Sequence, residues 1–297
     1  MKSIKPSVER RLDEVFHTAP IVPFGDDDKL VFFSDCHRGD NSWADDFAHN
    51  QLLFFHALKH YYERGFTYVE VGDGDELWEN ADFAEIRRAH SHVFWLMRQF
   101  YLAQRLFFLF GNHNMDWRDP ERVAAELYAY VDERDGQTKE LFPEIIMHEG
   151  LVLRHRESGG QFFVVHGHQG DLMSDRLWRI SRLMVRYLWR NLQLLGFNDP
   201  TSPAQNFSKR NKVEMDLITW AYQRRQPMIC GHTHRSVFPA PDEAPYFNTG
   251  SAVHPRCITG IEIEAGEICL IKWWLAPDDL GRLCVTREVL AGPQSVR

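Results

Sequence analysis

Short runs of apolar residues alternate along the chain with longer stretches of mixed polarity. Five of these runs end at a small polar turn, namely Leu30 to Phe33, Tyr68 to Val71, Leu106 to Phe110, Phe162 to Val165 and Met228 to Cys230. Short apolar runs that stop at such turns predict buried strands. Between the first three runs, Ala48 to Arg64 and Phe83 to Gln104 have the length and apolar spacing of helices. This alternation predicts an α/β sheet with right-handed crossovers.

The second half of the chain is richer in predicted strands. Further runs of strand type are Leu151 to His155, Phe247 to Thr249, Ile258 to Ile263 and Ile268 to Leu275. This number of strands fits two sheets packed face to face with helices outside. We therefore predict one domain over residues 1–297. Within it, 1–26 would be an N-terminal extension with a short helix from Val8 to Phe16, 171–226 an inserted helical cap, and 276–297 a C-terminal extension.

Composition and charge narrow the function classes. The 297 residues are 44% hydrophobic and 13% aromatic, which gives enough apolar surface for a folded chain. With 34 basic and 42 acidic residues, the formal net charge is −8. This charge disfavours nucleic-acid binding driven by overall electrostatic attraction. No apolar run approaches the ~20 residues that span a bilayer, and the first residues lack a signal-peptide core. Five scattered cysteines without a CxxC pair fit a reducing compartment, so we expect a cytoplasmic protein.

The turns after the five strands carry side chains that bind metal ions. They hold two aspartates, one asparagine and four histidines: Asp35, His37, Asp73, Asn112, His166, His232 and His234. Ligands gather at the carboxyl ends of strands in open α/β sheets, so these side chains should meet. Oxygen and nitrogen ligands without a thiolate suit manganese, iron or zinc. Seven ligands are too many for one tetrahedral ion and suit two divalent ions that share a carboxylate.

The ordered motifs resemble the calcineurin-like metallophosphoesterase family. They are Asp35-Cys36-His37, Gly72-Asp73, Gly111-Asn112-His113, His166-Gly167 and Gly231-His232-Thr233-His234, and the resemblance covers about residues 29–275. It implies a four-layer α/β/β/α sandwich, here with an inserted helical cap. It also implies two metal sites that share Asp73, one made by Asp35, His37 and His234 and the other by Asn112, His166 and His232.

The same resemblance assigns the catalytic roles. His113 matches the family's catalytic histidine, which protonates the leaving oxygen or stabilises charge on the phosphate. A hydroxide between the two ions would be the nucleophile. The chain departs from the family pattern at two places, because its GDxxD motif reads Gly72-Asp73-Gly74-Asp75-Glu76 and because Asn114 replaces the usual acid. The carboxylate that orients His113 is therefore left open between Asp75, Glu76 and Asp116.

The predicted cap supplies candidate substrate contacts. Arg179 and Arg182 belong to an arginine stripe on a predicted helix that also carries large apolar residues. As a whole, the segment suits a lid over an anionic, amphiphilic substrate, or contact with an acidic membrane surface. The individual arginines suit a solvated helix face at least as well. Arg38 is a further candidate, and His168 either lines the site or faces solvent.

Within the family, the chain resembles the bacterial UDP-2,3-diacylglucosamine pyrophosphatases. They share a GDxxE motif followed by an aromatic residue, here Trp78, and a helical lid with an element like Asn206-Phe207-Ser208-Lys209. Asn206 and Lys209 are therefore candidate substrate residues. That subgroup typically has arginine where this chain has His113, so a nucleotide-sugar or lipid-linked pyrophosphate is one substrate class among several.

The expected activity is hydrolysis of a phosphomonoester, phosphodiester or pyrophosphate bond in a small molecule. A protein-phosphatase-like phosphomonoesterase and a non-catalytic metal-binding scaffold are the alternatives. Eukaryotic-type serine/threonine phosphatases carry arginines where this chain has Glu76-Leu77 and Leu109-Phe110, and scaffolds of this type usually lose ligands that this chain keeps. Oligomeric state is left open.

Overall fold

The computed structural model describes residues 4–171, Asp175, Trp178, Arg182 and residues 207–297, with side chains from residue 211 onward in the last range. The helices of these ranges are α1 (Pro6–Thr18), α2 (Gln51–Glu63), α3 (Phe83–Ala89), α4 (Ser91–Leu102), α5 (Pro120–Leu127) and α6 (Phe207–Arg224). The strands are β1 (Ile21–Phe24), β2 (Leu30–Phe33), β3 (Thr67–Val71), β4 (Leu106–Leu109), β5 (Ala129–Val131), β6 (Thr138–Glu140), β7 (Met147–His148), β8 (Gly150–His155), β9 (Gln161–Val165), β10 (Met228–Cys230), β11 (Tyr246–Asn248), β12 (Cys257–Glu264), β13 (Glu267–Pro277) and β14 (Leu283–Ser295).

These strands form two large sheets and a separate β5–β6 hairpin. The five-stranded sheet has the order β1-β8-β9-β10-β11, and the seven-stranded sheet has the order β14-β13-β12-β2-β3-β4-β7. Strands β2, β3 and β4 run parallel, as do β9, β10 and β11. Since parallel neighbours end at the same edge, the turns after each set of strands lie side by side.

The two sheets pack face to face, and helices cover their outer faces. Phe32, Val69 and Ile229 belong to the apolar core between the sheets. The other face of the seven-stranded sheet packs against α2 and α4, while α1 and α6 cover the five-stranded sheet. The layers are therefore α/β/β/α, and the predicted fold class is confirmed.

Burial on both faces explains the continuous apolar runs. Successive side chains of a strand point to opposite faces of the sheet, and both faces are covered at β2. All four residues of β2 are therefore buried. Val31 and Phe33 enter the core beneath the helices, and Leu30 and Phe32 enter the core between the sheets. A strand with no solvent-facing side has no polar alternation.

The predicted helix from Phe83 to Gln104 is two helices, α3 and α4, that meet at His90. The backbone of His90 leaves the helical region, with φ −112° and ψ 33°. Its imidazole is fully buried, and its Nε2 lies 2.7 Å from Oδ2 of Asp45. This contact fixes the break at a position where the apolar spacing alone predicts an unbroken helix.

Both predicted terminal extensions belong to the sheets in this structure. Strand β1 pairs in parallel with β8, and β14 pairs with β13 along nearly its whole length. Leu12 and Val15 of α1 pack on the five-stranded sheet. The sequence pattern missed the two strands because β1 contains Pro23, β14 contains Pro293, and β14 is largely exposed.

Part of the predicted cap is described. Helix α6 lies on the five-stranded sheet through Val213, Leu217 and Trp220, so it belongs to an outer helical layer. Apart from Asp175, Trp178 and Arg182, residues 172–206 lie outside the described part of the chain. No helix in the described ranges is both long enough and apolar enough to cross a membrane.

Candidate metal centre

Five turns converge where the carboxyl ends of the parallel strands meet. They follow β2, β3, β4, β9 and β10 and carry all seven predicted ligands. Backbone hydrogen bonds join the turns, since the N–H of Asp35 donates to the Gly72 carbonyl (3.1 Å) and that of Gly231 to the His166 carbonyl (3.0 Å). Six of the ligands are buried, and His234 is partly exposed. The sequence pattern therefore brings distant residues together at a single place.

Asp35, His37 and His234 form the first group, and one ligand atom from each lies within 4.8 Å of the others. Nε2 of His234 lies 3.2 Å from Oδ1 of Asp35 and 3.2 Å from Nε2 of His37. The second oxygen of Asp35 accepts hydrogen bonds from the His232 N–H (2.9 Å) and the Ser34 hydroxyl. Oδ1 is thereby left to face the two imidazoles.

Asp73, His166 and His232 form the second group at the same spacing. Nδ1 of His166 donates to the Val71 carbonyl over 2.8 Å, which leaves Nε2 as the ligating nitrogen. Nε2 lies 3.0 Å from Oδ2 of Asp73 without hydrogen-bond geometry. Asn112 follows β4, and its side chain is buried. These three residues and Asn112 are the set predicted for the second ion.

Unpartnered polar atoms show that the residues present fit divalent ions. Within the described part of the chain, four buried ligand atoms have no hydrogen-bond partner: Asp35 Oδ1, Asn112 Oδ1, His166 Nε2 and His232 Nε2. Each buried polar atom left in this way costs about 1–3 kcal/mol. Two carboxylates and four imidazoles offer the mixed oxygen and nitrogen set that manganese, iron and zinc accept. The fit therefore supports the predicted ions, while a bridging role for Asp73 stays a prediction.

Backbone strain is concentrated at the same residues. Eleven non-glycine residues in the described ranges have positive φ, and five of them are Asp35 (50°), His37 (48°), Asp73 (50°), His232 (68°) and His234 (55°). This conformation is unfavourable for residues with a Cβ and persists where the surroundings enforce it, often at functional sites. The positive-φ conformation directs the side chains of these turn residues into the two ligand groups.

Two motif glycines beside the ligands are required because a larger residue would not fit there. A Cβ at Gly111 would collide with Oδ1 of Asp73, and a Cβ at Gly72 would collide with the His166 ring. Gly72 also has a φ of 81°, which glycine adopts without strain. The motif glycines therefore let the ligand-bearing turns approach one another closely.

His113 lies beside both groups and is oriented by Glu76. Its Nδ1 lies 2.7 Å from Oε2 and 2.9 Å from Oε1 of Glu76. Its ring stacks on Trp78 with centroids 4.1 Å apart and an interplanar angle of 22°. The backbone N–H of His113 donates to Oδ1 of Asp73 over 2.8 Å. With Nδ1 engaged, Nε2 is the ring atom available for proton transfer.

The structure shows which of the three candidate carboxylates contacts His113. Asp75 accepts hydrogen bonds from Arg38 (3.0 Å) and from the Trp117 indole (3.1 Å). Asp116 accepts hydrogen bonds from Arg122 and Arg182. Only Glu76 of the three contacts the His113 ring, and it also reaches Nδ1 of His37 at 2.7 Å.

Charge coupling shifts the pKa values of the ligands in opposite directions. Burial opposes protonation of His37, but the hydrogen bond and charge of Glu76 raise its pKa to about 10. Burial would raise the pKa of Asp35, yet His234 and His166 lower it to about 2. Asp73 and Asp35 similarly raise the pKa of His166 to about 8 against burial. The acids are thus ionised near neutral pH, as metal ligands must be.

Arg38 has its guanidinium occupied by two carboxylates. Its side chain is fully buried, and its guanidinium bonds to Glu70 (2.6 and 2.8 Å) and Asp75 (3.0 Å). Two carboxylates thus neutralise it beneath the Gly72–Asp75 turn. Arg38 was predicted as a candidate substrate residue, but its burial and these partners indicate a structural role.

The other predicted substrate residues lie elsewhere or outside the described part of the chain. His168 is fully buried, so it does not face solvent, and burial and the charge of His166 lower its pKa well below the ordinary range. Arg182 donates to both oxygens of Asp116 (2.9 and 2.8 Å) and lies over the Trp178 ring. Arg179, Asn206 and the Lys209 side chain are not described.

Two sets of neighbours are not predictable from the sequence pattern. Asp46, an exposed residue in the short helical turn Asp46–His49, lies near enough to His37 and Glu76 to interact with their charges. Arg11, Glu149 and Asp175 surround His168 although 164 positions separate Arg11 from Asp175. No local motif marks the contacts around His168, because they arise only when α1 packs beside the turn after β9.

No protein-family model matches the chain, and no curated protein matches it. Among solved structures, the chain aligns with Vps29 of Cryptosporidium parvum at 12% identity and a TM-score of 0.36, over 89% of this chain and 98% of that one. It aligns with a mutant of a cold-active protein tyrosine phosphatase at 15% identity and a TM-score of 0.40, over 98% and 86%. Vps29 of Chaetomium thermophilum aligns at 13% identity and a TM-score of 0.38, over 89% and 95%. Similarity at this level assigns no function.

Proposed function

We propose that this protein is a phosphoesterase that depends on two divalent metal ions. The observation that carries the proposal is the pair of ligand groups, Asp35 with His37 and His234 and Asp73 with His166 and His232, at one end of the two sheets. Their buried, unpartnered ligand atoms and left-handed backbones support two cation sites. The ordered motifs and the four-layer fold agree with the metallophosphoesterase resemblance.

Asp35, His37 and His234 would hold one ion, Asn112, His166 and His232 the other, and Asp73 would contact both. When bound, the ions supply an activated water and neutralise charge on the phosphoryl oxygens. Glu76 holds His113 by Nδ1, and the stacked Trp78 restricts rotation of the ring. His113 can then deliver a proton from Nε2 to the leaving oxygen, which makes it the general acid.

The substrate class is a narrower proposal. We favour a small molecule with a pyrophosphate or phosphodiester bond, such as a nucleotide-sugar or lipid-linked pyrophosphate. The support is the Gly72–Trp78 motif, in which Glu76 and Trp78 both contact His113. Arg182, a described residue of the predicted cap, also bonds to Asp116, three positions after His113, which supports a substrate contact from this side.

The first experiment measures metal and activity together. Protein loaded with manganese should hydrolyse a chromogenic phosphodiester, and Asp73→Asn should lose both activity and at least one ion. Glu85→Gln, on an exposed face of α3, is the matched control and should change neither. Unchanged metal content together with full activity in Asp73→Asn would refute the assignment of Asp73.

A second experiment separates the catalytic proposal from a non-catalytic scaffold. The metal-loaded protein is screened with nucleotide sugars, cyclic nucleotides and phosphomonoesters. Hydrolysis that disappears in His113→Ala supports catalysis at this site. Tight binding of two ions without turnover of any of these esters would favour the scaffold.

A further inference from the structure

His168 is a buried histidine without a hydrogen bond at either ring nitrogen. Its side chain has no exposed surface, and neither Nδ1 nor Nε2 has a partner among the described residues. Its ring lies 5.5 Å from that of His166 and 6.5 Å from that of Phe110. Two unsatisfied nitrogens in one buried ring are costly, and such groups commonly indicate an ion or water.

Two carboxylates face this ring. One oxygen of Glu149, one oxygen of Asp175 and one ring nitrogen of His168 lie within 4.8 Å of one another. Nε2 of His168 is 3.9 Å from Oδ1 of Asp175, which is too long for a hydrogen bond. Ligand atoms bound ~2.0–2.2 Å from one ion stand ~3–4 Å apart, so this separation suits two ligands of the same ion.

Neighbouring side chains hold the two carboxylates in place. Gln169 donates to Oε1 of Glu149 over 3.1 Å, and Arg11 contacts the same oxygen. Nε of Arg11 also lies 3.3 Å from Oδ2 of Asp175. The single positive charge of Arg11 against the two carboxylates leaves a net charge of −1, so a cation is still attracted. No hydrogen bond occupies Oε2 of Glu149 in the described part of the chain, which leaves an oxygen free to ligate.

We propose that His168, Glu149 and Asp175 bind a third divalent ion of the class that accepts both imidazole and carboxylate ligands, such as zinc or manganese. The site joins the turn after β9, the residue before β8 and Asp175 at the start of the inserted segment, next to α1. It uses none of the seven ligands of the proposed binuclear centre. It can therefore be occupied or empty whatever the outcome for phosphoester hydrolysis.

Zinc content tests the site directly. After dialysis against zinc, elemental analysis should find three ions per chain in the natural protein and two in His168→Gln. A variant with Asp35→Asn and Asp73→Asn should keep the ion at His168 even though the binuclear centre is damaged. In that double variant, the Tm measured with zinc should be higher than the Tm measured with a chelator. Adding His168→Gln should abolish this difference. Equal zinc content with and without His168→Gln would overturn the proposal.

Arg11 provides a test in the opposite direction. Removing its charge should tighten zinc binding at this site, because the guanidinium repels a cation that shares its carboxylates. Arg10→Gln, at an exposed position of the same helix, makes the same charge change away from the carboxylates and is the control. A lower zinc Kd in Arg11→Gln, with no change in Arg10→Gln, supports the site. An unchanged Kd in Arg11→Gln would show that Arg11 and the two acids form only an ion-pair network.

Discussion

The carboxylate of Glu76 approaches Nδ1 of His113 to 2.7 Å and fixes the direction in which Nε2 points. The same carboxylate lies 2.7 Å from Nδ1 of His37, a candidate metal ligand. Glu76 therefore couples the proposed acid to the first metal group. The charges of His113 and His37 lower the pKa of Glu76 to about 2 although burial opposes ionisation.

Replacing Glu76 by glutamine should lower kcat by about 10–100-fold, the usual range when a residue that hydrogen-bonds to a metal ligand and holds it in position is lost. The amide retains the shape of the side chain but loses the charge that faces both imidazoles. We expect much of the bound metal to remain, so kcat measured at saturating metal is the readout. Wild-type turnover in Glu76→Gln would show that Glu76 does not position His113.

His113→Ala should lower kcat by ~10²–10⁴-fold on substrates with poor leaving groups. Esters with very acidic leaving groups should suffer less, because their departing oxygen needs less protonation. Metal content should stay near that of the natural protein, since His113 belongs to neither proposed ligand set. An equal loss on good and poor leaving groups would leave His113 only an electrostatic role.

Metal binding should release protons near neutral pH. In the metal-free protein the pKa of His37 is raised to about 10 and that of His166 to about 8, so both rings are largely protonated at pH 7. Each must lose a proton to ligate, and apparent affinity should therefore rise as pH rises through 8 towards 10. Calorimetric titration with zinc in buffers of different ionisation enthalpy measures the number released.

The same pKa shifts determine whether the stability of the metal-free protein rises or falls with pH. A raised histidine pKa stabilises the fold fully below the ordinary value of 6.5, and this contribution is lost as pH rises through the folded value. For His37 the loss should therefore extend to about pH 10. Glu76→Gln should narrow this window and reduce the proton release, because the acid that raises the pKa of His37 is gone. Identical proton release in the two proteins would contradict the role given to Glu76.

The ligand-bearing turns were predictable because their signal is local. A buried strand such as β2 produces an unbroken apolar run, and the residues that follow it must turn at the sheet edge. Asp35 and His37 therefore stand out next to that run. The order of five such turns added a family resemblance that no single turn provides.

Other features of the site depend on packing between distant segments. Asp75, Glu76 and Asp116 are equivalent by residue type, and only the positions of Arg38 and Arg182 show which carboxylate is left for His113. The acids around His168 come from the residue before β8 and from the inserted segment, and no spacing links them. The edge strand β14 was missed for another reason, because an exposed strand has no apolar run to mark it.

The contact between Arg182 and Asp116 should affect substrate choice more than chemistry. Both Arg122 and Arg182 bond to Asp116, but only Arg182 lies within the predicted cap of residues 171–226. Losing a hydrogen-bonded ion pair of this kind costs about 1.5 kcal/mol, so the loss of substrate binding that it can transmit is at most about tenfold. Arg182→Gln should raise the KM for a large nucleotide-sugar substrate by up to that factor and leave hydrolysis of a small chromogenic ester nearly unchanged. Arg122→Gln is the matched control, and equal effects of the two variants on both substrates would assign Asp116 a purely structural role.

A buried polar network beneath α2 should contribute measurably to stability. The Trp273 indole donates to the Tyr61 hydroxyl over 2.8 Å, and that hydroxyl donates to Glu262, which is also bound by Arg287. Tyr61→Phe leaves the Trp273 N–H and one oxygen of Glu262 with a lost partner in a buried setting, so the free energy of unfolding should fall by about 1–3 kcal/mol. Urea denaturation measures the change, and Tyr62→Phe, on the more exposed side of the same helix, serves as the control. A loss below 0.5 kcal/mol in Tyr61→Phe, about the size of an ordinary surface substitution, would mean that water or Arg287 replaces the hydroxyl.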